Sequence, residues 1–195
     1  MDHAAFFSHA WKTIAHALAD AGVDADLDLN PETIRKSVRS RCLAELKRLS
    51  IMIRRLIFLM ALQVELAPLV PRTGSNYFEP DAPPAPPHYT FQMIPAPARE
   101  CPHFLRGPRI VPHRGPVPAA PLVARWLAIL MVLKHSQRRA KRLARTIQRW
   151  RERREARPCI LSIPGTHSMP AALGLVSGAL VAQLTEALKD WPDTG

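Results

Sequence analysis

The chain of 195 residues contains only three cysteines, Cys42, Cys101 and Cys159, and no two of them form a C-x-x-C pair. An odd number of widely spaced thiols provides neither a disulfide framework nor the ligand spacing of a structural zinc site. This usage is typical of proteins in a reducing compartment, so we expect the chain in the cytoplasm.

Long apolar runs are also lacking. No stretch approaches 18 consecutive apolar residues, so the sequence predicts no ordinary membrane-spanning helix. The first residues include Asp2 and show no basic region followed by an apolar one, so no secretory signal is recognised. Association with a membrane surface is left open, because it needs no spanning segment.

The motifs that usually carry catalysis are missing as well. There is no P-loop, no G-x-G-x-x-G after a strand and no G-x-S-x-G elbow. Thr166, His167 and Ser168 place a hydroxyl beside an imidazole, but neighbours in sequence seldom form a relay. His9 and His16 have no evident third strong metal ligand. We therefore predict a protein that is not an enzyme, with no catalytic residues, no metal and no cofactor.

Glycine is scarce and proline is abundant. The chain has 8 glycines and 20 prolines, and 15 of these prolines lie between residues 67 and 121. Proline removes amide donors and disfavours helix in the preceding residue, so residues 67–121 are predicted to be an extended or disordered insertion. Aromatic residues in it suggest short stretches that dock, either onto this protein's own helices or onto a partner: Tyr77, Phe78, Tyr89, Phe91 and Phe104.

Four segments have the apolar spacing of helices, and the sequence predicts them over residues 3–21, 31–66, 122–157 and 170–191. Asn30 followed by Pro31 is a typical helix start, and Gly22 is a candidate stop for the first helix. The two long helices carry heptad-like seams at spacings of 3 and 4. These seams are Cys42, Leu46, Leu49, Ile53, Leu56 and Met60, and then Trp126, Ile129, Leu133, Ser136, Ala140, Leu143, Ile147 and Trp150.

These elements predict an all-α fold with a long antiparallel helical hairpin, shorter flanking helices and a long proline-rich irregular insertion. Residues 1–66 and 122–195 would form one helical domain. In the first long helix the basic half precedes the apolar half, and in the second the apolar half precedes the basic half. If the two helices pair in antiparallel orientation, the two apolar halves would meet each other and so would the two basic halves. We expect eight side chains to be substantially buried: Leu46, Leu49, Ile53, Leu56, Met60, Trp126, Leu133 and Ile147.

Charge is the strongest functional signal in the sequence. The net charge is +11, and arginine supplies 21 of the 27 basic residues. Residues 1–30 sum to −4, residues 31–66 to +5 and residues 122–157 to +10. A charge of this size governs association, and arginine suits phosphate because its planar fork donates two hydrogen bonds at once. A GC-rich genome, whose codons favour arginine, is the alternative explanation.

The densest basic segment spans residues 134–157, where 11 basic residues stand against Glu152 and Glu155. Like charges three or four residues apart repel along a helix, so an acidic counterpart is expected. It is either internal, supplied by residues 1–30, or an external anion. The predicted anion-binding residues are Arg138, Arg139, Arg142, Arg145, Arg149, Arg151, Arg153 and Arg154.

The partner class follows from charge alone. No zinc finger, RNP motif, KH loop or helix-turn-helix signature is present, so contact with nucleic acid would be directed at the phosphate backbone. We predict a non-enzymatic binding or adaptor protein whose partner is nucleic acid or an acidic protein. The alternative is a peripheral membrane protein that uses a basic amphipathic hairpin. Self-association through the helix seams is a further option.

The segment from Arg54 to Leu62, the proline-rich middle, and the segment from Ala124 to Arg145 resemble a loose group of uncharacterised arginine- and proline-rich proteins from GC-rich bacteria. The resemblance covers about residues 40–157. It implies no activity, cofactor or site residue.

Overall fold

The structure, a computed structural model, describes residues 3–66, 89–94, 115–160, 163 and 169–191. Of these, 71% are helical, which confirms the all-α class. The α-helices are α1 (His3–Val23), α2 (Lys36–Leu62), α3 (Ala120–Lys134), α4 (Ser136–Glu152) and α5 (Ala171–Ala187). A short 3₁₀ turn (Leu27–Leu29) follows α1, and two short strands, β1 (Thr33–Ile34) and β2 (Val117–Pro118), pair with each other.

Helix α2 lies at the centre and packs against all four of the other α-helices, most extensively against α4. Its first residues, 36–41, are mostly exposed, whereas no residue from 50 to 60 is exposed. The predicted seam of α2 is confirmed, since all its members are buried except Met60, which is half-buried. Most of the buried side chains of α2 therefore lie in its C-terminal half, from Ser50 to Ala61.

Helix α2 begins five residues later than the predicted start at Pro31. Asn30 adopts a left-handed conformation (φ 49°) that closes the 3₁₀ turn, so it does not cap a helix. The chain then forms β1, in which Ile34 is buried and pairs with Val117 of β2. The amide of Ala119 donates to the Glu32 carbonyl at 3.0 Å. These tertiary hydrogen bonds replace the helical ones that the prediction assumed.

The predicted helix 122–157 is two helices in the structure. His135 (φ −114°, ψ 29°) separates α3 from α4, and neither proline nor glycine stands at the break. The break lets the two helices take different neighbours. Helix α3 packs on α1 and the 3₁₀ turn as well as on α2, and the indole Nε1 of Trp126 donates to the Leu18 carbonyl at 2.9 Å. Helix α4 packs mainly on α2.

Because α3 and α4 are separate helices, the surfaces that pack against α2 differ from those predicted. Leu143 and Trp150, on the basic helix, line a cavity together with Phe58 in the apolar half of α2. The expected pairing of basic half with basic half is therefore wrong, because α4 presents an apolar face to α2 and keeps most of its basic side chains exposed. Of the eight residues expected in the core, five are buried, namely Leu46, Leu49, Ile53, Leu56 and Ile147, and the other three, Met60, Trp126 and Leu133, are half-buried and pack against the core.

The ends of the flanking helices lie close to the predicted ones. Helix α1 continues through Gly22 to Val23, so the glycine stands inside the helix. Helix α5 ends at Ala187, four residues before the predicted Trp191. Most of the predicted insertion lies outside the described residues; in the described part, residues 89–94 contain no helix or strand, and α3 begins at Ala120, before the predicted boundary. The assignment of residues 1–66 and 122–195 to one domain stays a prediction.

Candidate anion-binding surface

Helix α4 has one apolar face and one basic face. Ser136, Ala140, Leu143, Ala144 and Ile147 are its buried residues, and they recur at helical spacing along a single side. Residues three and four apart share a face of an α-helix, so this seam turns the remaining positions outward. Packing of the apolar side on α2 thus fixes which arginines meet solvent.

Four of the eight predicted arginines form one row on the outward face. Arg138, Arg142, Arg145 and Arg149 follow each other at intervals of 4, 3 and 4 residues, and all four are exposed. From first to last the row spans about 16 Å, at about 1.5 Å per residue. We call these four residues the arginine row. It lies opposite the buried seam, and within the described residues its one side-chain hydrogen bond is local, from Nε of Arg149 to the Arg145 carbonyl at 3.3 Å.

The other four predicted residues have different environments. Arg139 is half-buried, and its Nε is buried without a hydrogen-bond partner within the described ranges. Arg151 lies over the ring of Trp191, with the guanidinium carbon 5.2 Å from the ring centre. Arg153 pairs with Glu155 at 3.9 Å, and Arg154 has left the helix with φ 52°. The predicted set of eight is therefore not one surface.

The C-terminal end of α4 is held by the end of α5. The indole of Trp191 donates to the Glu155 carbonyl at 2.9 Å, and Arg157 donates to the Thr185 carbonyl at 3.4 Å. Trp191 is buried, so its hydrogen bond and the stacked Arg151 form a fixed contact. This anchor orients α4 and keeps the arginine row facing solvent.

The acidic N-terminal segment does not neutralise the arginine row in the described part of the chain. No ion pair joins residues 3–30 to α4 there. Asp20 and Asp24 instead line a cavity of about 700 Å³ together with Arg41 and Arg48, which belong to α2. Asp20 and Asp24 thus lie near the first basic helix, and none of the described acidic residues of the N-terminal segment forms an ion pair with the second one.

Helix α3 has exposed apolar side chains of its own. Leu127 and Met131 are 49% and 50% exposed, which is unusual for large apolar side chains on a helix that also packs in the core. They lie four residues apart, so they share one side of α3. Helix α3, which precedes the break at His135, therefore has an exposed apolar pair, whereas the arginine row belongs to α4 alone.

Two arginines have a structural role that the sequence did not indicate. The guanidinium of Arg54 lies 4.6 Å from the centre of the Phe91 ring, and its Nε donates to the Gln92 carbonyl at 2.8 Å. Arg125 lies over Tyr89 at 5.1 Å. These contacts dock residues 89–94 onto the helices, and Phe91 is buried. Of the two alternatives for the aromatic residues, docking onto the protein's own helices is the one seen for Tyr89 and Phe91.

The remaining predicted features are outside the site. Residues 166–168 and the pair Cys101 and His103 lie outside the described residues. His9 and His16 belong to α1, and no group of three or more metal-ligating side chains occurs among the residues that are described. Within the same residues, no helix has the length and apolarity needed to cross a membrane.

No family model matches the sequence, and the comparisons with curated proteins and with solved structures also return no significant match.

Proposed function

We propose that the protein binds nucleic acid, without catalysis, by laying the arginine row of α4 along a phosphate backbone. The observation that supports this is a row of four exposed arginines with no acidic partner within the described residues. Guanidinium groups bind phosphate oxygens in pairs of parallel hydrogen bonds, which a row of four repeats along a strand. Such a role suits a cytoplasmic protein, where nucleic acid is abundant.

The free-energy argument favours an external anion. Like charges at intervals of three and four residues destabilise a helix by a few tenths of a kcal/mol per pair, and the arginine row contains three such pairs in succession. A bound polyanion removes this repulsion and releases counterions of its own. The proposed contact involves phosphates and not base edges, so we expect the affinity to depend weakly on nucleotide sequence and strongly on salt concentration.

The test is fluorescence anisotropy with a labelled 20-nucleotide RNA and a 20-base-pair DNA duplex of arbitrary sequence, from 50 to 300 mM NaCl. The variant changes Arg138, Arg142, Arg145 and Arg149 to Gln. We expect its affinity for the duplex at 50 mM NaCl to fall at least about 30-fold, and the slope of log K against log salt to become shallower by about 3 to 4.

A matched control separates the row from net charge. Arg35, Arg39, Arg41 and Lys47 are exposed basic residues of α2 and of the residue before it, and changing them to Gln lowers the net charge by the same four units. We expect this control to lose less than about threefold in affinity. Equal losses in both variants, or no binding by the wild type at 50 mM NaCl, would reject the proposal.

Two other anions can occupy the same row. Polyglutamate that competes as well as RNA at equal charge would indicate an acidic protein as the partner. The apolar pair Leu127 and Met131 supports a second candidate function at a membrane surface, because apolar insertion adds to charge attraction there. Flotation with vesicles of 30% anionic lipid that survives 300 mM NaCl, and is lost on changing Leu127 and Met131 to Gln, would favour the membrane.

A further inference from the structure

Residues 89–94, which we call the strap, contact α2 and α3 through alternate side chains. Phe91 is buried, and Tyr89 and Met93 are half-buried and pack against the core, whereas the two residues between them are exposed. Alternation with a period of two is typical of an extended chain, yet the strap pairs with no strand within the described residues. The strap is therefore held as an extended peptide is held in a groove.

Two arginines contact the aromatic rings of the strap. The guanidinium carbon of Arg125 lies 5.1 Å from the centre of the Tyr89 ring. That of Arg54 lies 4.6 Å from the centre of the Phe91 ring. Both distances are within the range of a cation–π contact. The two arginines thus match two aromatic residues that are separated by one position on an extended chain.

The two guanidinium groups influence each other. Burial lowers the pKa of Arg54, Tyr89 opposes this effect, and the positive charge of Arg125 adds to it. The Nε of Arg125 is also buried and has no hydrogen-bond partner within the described ranges. Neighbouring cations that have lost solvation are stabilised by aromatic faces, because the face of a ring carries partial negative charge. Aromatic residues are therefore the side chains that suit this part of the groove.

The backbone of the strap adds a polar contact. Nε of Arg54 donates to the Gln92 carbonyl at 2.8 Å, and this is the one hydrogen bond found between the strap and the helices within the described residues. Every peptide has such carbonyls, so the contact fixes the register without requiring a particular side chain. The chain then bends, and Met93 and Ile94 line an apolar cavity together with Phe58. The groove thus takes two aromatic residues followed by an apolar one.

The strap can leave its site while the helices stay in place. The segments that join it to the described residues on either side are 67–88 and 95–114, of 22 and 20 residues. Chains of this length reach about 70 Å when extended, so they allow the strap to leave the groove. An intramolecular ligand on connections of this kind has an effective concentration of about millimolar or less, so a partner can compete with it.

We propose that the strap occupies a peptide-binding groove in cis, formed by Arg54, Phe58 and Arg125, and that a partner protein binds this groove through an extended segment with aromatic residues at positions i and i+2. The strap supports this choice of partner, because it shows which peptide fits the two arginines. A partner segment of the same pattern takes the place of Tyr89 and Phe91, so the free protein is autoinhibited for this interaction.

The probe is the peptide of residues 88–95, acetylated and amidated. The host is the full chain with Tyr89, Phe91 and Met93 changed to Ser, which we call the open variant. NMR titration of the ¹⁵N-labelled open variant is expected to show saturable binding with a Kd of about 0.1–1 mM. We expect the wild type to bind at least about tenfold more weakly, because its own strap competes. No saturable binding to the open variant would overturn the groove, and equal affinity for both proteins would place the peptide elsewhere.

A peptide of the same composition, rearranged so that its two aromatic residues are adjacent, tests the spacing. An extended chain points adjacent side chains to opposite sides, so we expect binding to the open variant to be at least about tenfold weaker. Equal binding of the two peptides would overturn the role of the spacing.

Arg125 is tested in the open variant. Arg125→Gln is expected to weaken binding of the probe at least about fivefold, whereas Arg125→Lys keeps a cation at the ring and should lose less. An unchanged affinity in Arg125→Gln would contradict the part of this residue in the groove.

Phe91→Leu tests the competition with a smaller change to the core. Leu keeps an apolar side chain at the buried position but has no ring for Arg54, so the strap binds its own groove less tightly. We expect the affinity for the probe to rise at least about threefold over the wild type, with no gain for the rearranged peptide. An unchanged affinity would contradict competition by the strap, even if the open variant folds poorly.

A second copy of the chain is the other possible source of the peptide, since every copy has a strap. A wild-type dimer in light scattering at 100 µM that the open variant does not form would assign the groove to exchange between copies and overturn the partner protein.

The groove is independent of the proposed nucleic-acid function. The glutamine changes of the arginine row, made in the open variant, are expected to leave the affinity for the probe unchanged. Loss of probe binding there would place the peptide at the row and reject the groove, whatever the outcome with RNA.

Discussion

Gly22 shows how a single residue position depends on a contact far away in the sequence. A Cβ built at Gly22 would lie 2.5 Å from Cζ2 of Trp126, closer than side-chain atoms approach. Trp126 is fixed by its hydrogen bond to the Leu18 carbonyl, so it cannot move freely. We expect Gly22→Ala to lower the free energy of unfolding by about 1–2 kcal/mol, because the clash exceeds the gain in helix propensity.

Two glycines of α5 are the matched control for this prediction. Gly174 and Gly178 are helical, and an added Cβ at either position meets no atom of a described residue outside the helix backbone within 4 Å. Their change to Ala should raise the free energy of unfolding by about 0.5–1 kcal/mol each. Urea titration followed by circular dichroism measures all three variants. Destabilisation by the α5 substitutions would show that the glycines permit a close helix contact after all.

The sequence does not indicate which of these three glycines is closely packed. By its position Gly22 is a candidate helix stop, whereas Gly174 and Gly178 have the spacing of a G-x-x-x-G pair, which in other helices permits close packing. In the structure the first is the one that is closely packed, by a tryptophan more than 100 positions away, and the other two are open. Local spacing predicts which residues are helical, but it contains no information on which distant side chain covers them.

At the scale of elements, the end of α4 depends on its contact with Trp191. This residue follows α5, donates to the Glu155 carbonyl and carries Arg151 over its ring. Trp191→Phe keeps an aromatic ring but removes the donor, so we expect a loss of about 1–2 kcal/mol in stability. Amide hydrogen exchange should become faster in the last turn of α4, from Arg149 to Glu152, before it changes in α2.

Trp11→Phe is the control for the anchor. Trp11 is half-buried on α1 and packs against the core, and no hydrogen bond of its indole is found within the described residues. Trp11→Phe therefore reduces the packed ring area as Trp191→Phe does, but it breaks no hydrogen bond found within the described residues. If both substitutions speed exchange in α4 equally, Trp191 acts through general packing and not as an anchor of this helix.

Helices were easier to predict than their junctions. The apolar seams of α2 and α4 are periodic over many turns, so the buried residues Leu46, Ile53 and Ile147 followed from spacing alone. The start of α2 was misplaced because β2, more than 80 residues later, takes up the backbone hydrogen bonds of β1. The break at His135 had no local signal, since it reflects a change of packing partner between α3 and α4.

At the scale of the whole molecule, the excess positive charge is unevenly compensated. The net charges of the segments predicted repulsion between the two basic helices, and they left open whether the acidic residues 1–30 neutralise it. The structure places Asp20 and Asp24 around the same cavity as Arg41 and Arg48 of α2, and within the described residues no ion pair joins the arginine row of α4 to an acidic side chain. The sequence predicted the eight arginines as one set. It did not predict that four of them form an exposed row while the other four have different environments, because this depends on which face of α4 packs on α2.

This uneven distribution predicts how salt acts on the free protein. Repulsion within the arginine row is screened as the Debye length falls from about 30 Å at 0.01 M salt to about 10 Å at 0.1 M. We therefore expect the free energy of unfolding to rise by about 1 kcal/mol between 10 and 200 mM NaCl, measured by urea titration. In the glutamine variant of the row, most of this rise should disappear.

The α2 control variant distinguishes the row from the net charge of +11. Arg35, Arg39, Arg41 and Lys47 lie outside the row, and Arg41 lines a cavity together with Asp20 and Asp24, so removal of these four charges should leave most of the salt-dependent rise in place. If both variants lose it equally, repulsion is spread over the whole surface. In that case salt would stabilise the protein and weaken RNA binding through different sets of charges. If only the row variant loses the salt-dependent rise in stability, both effects are due to the same four arginines.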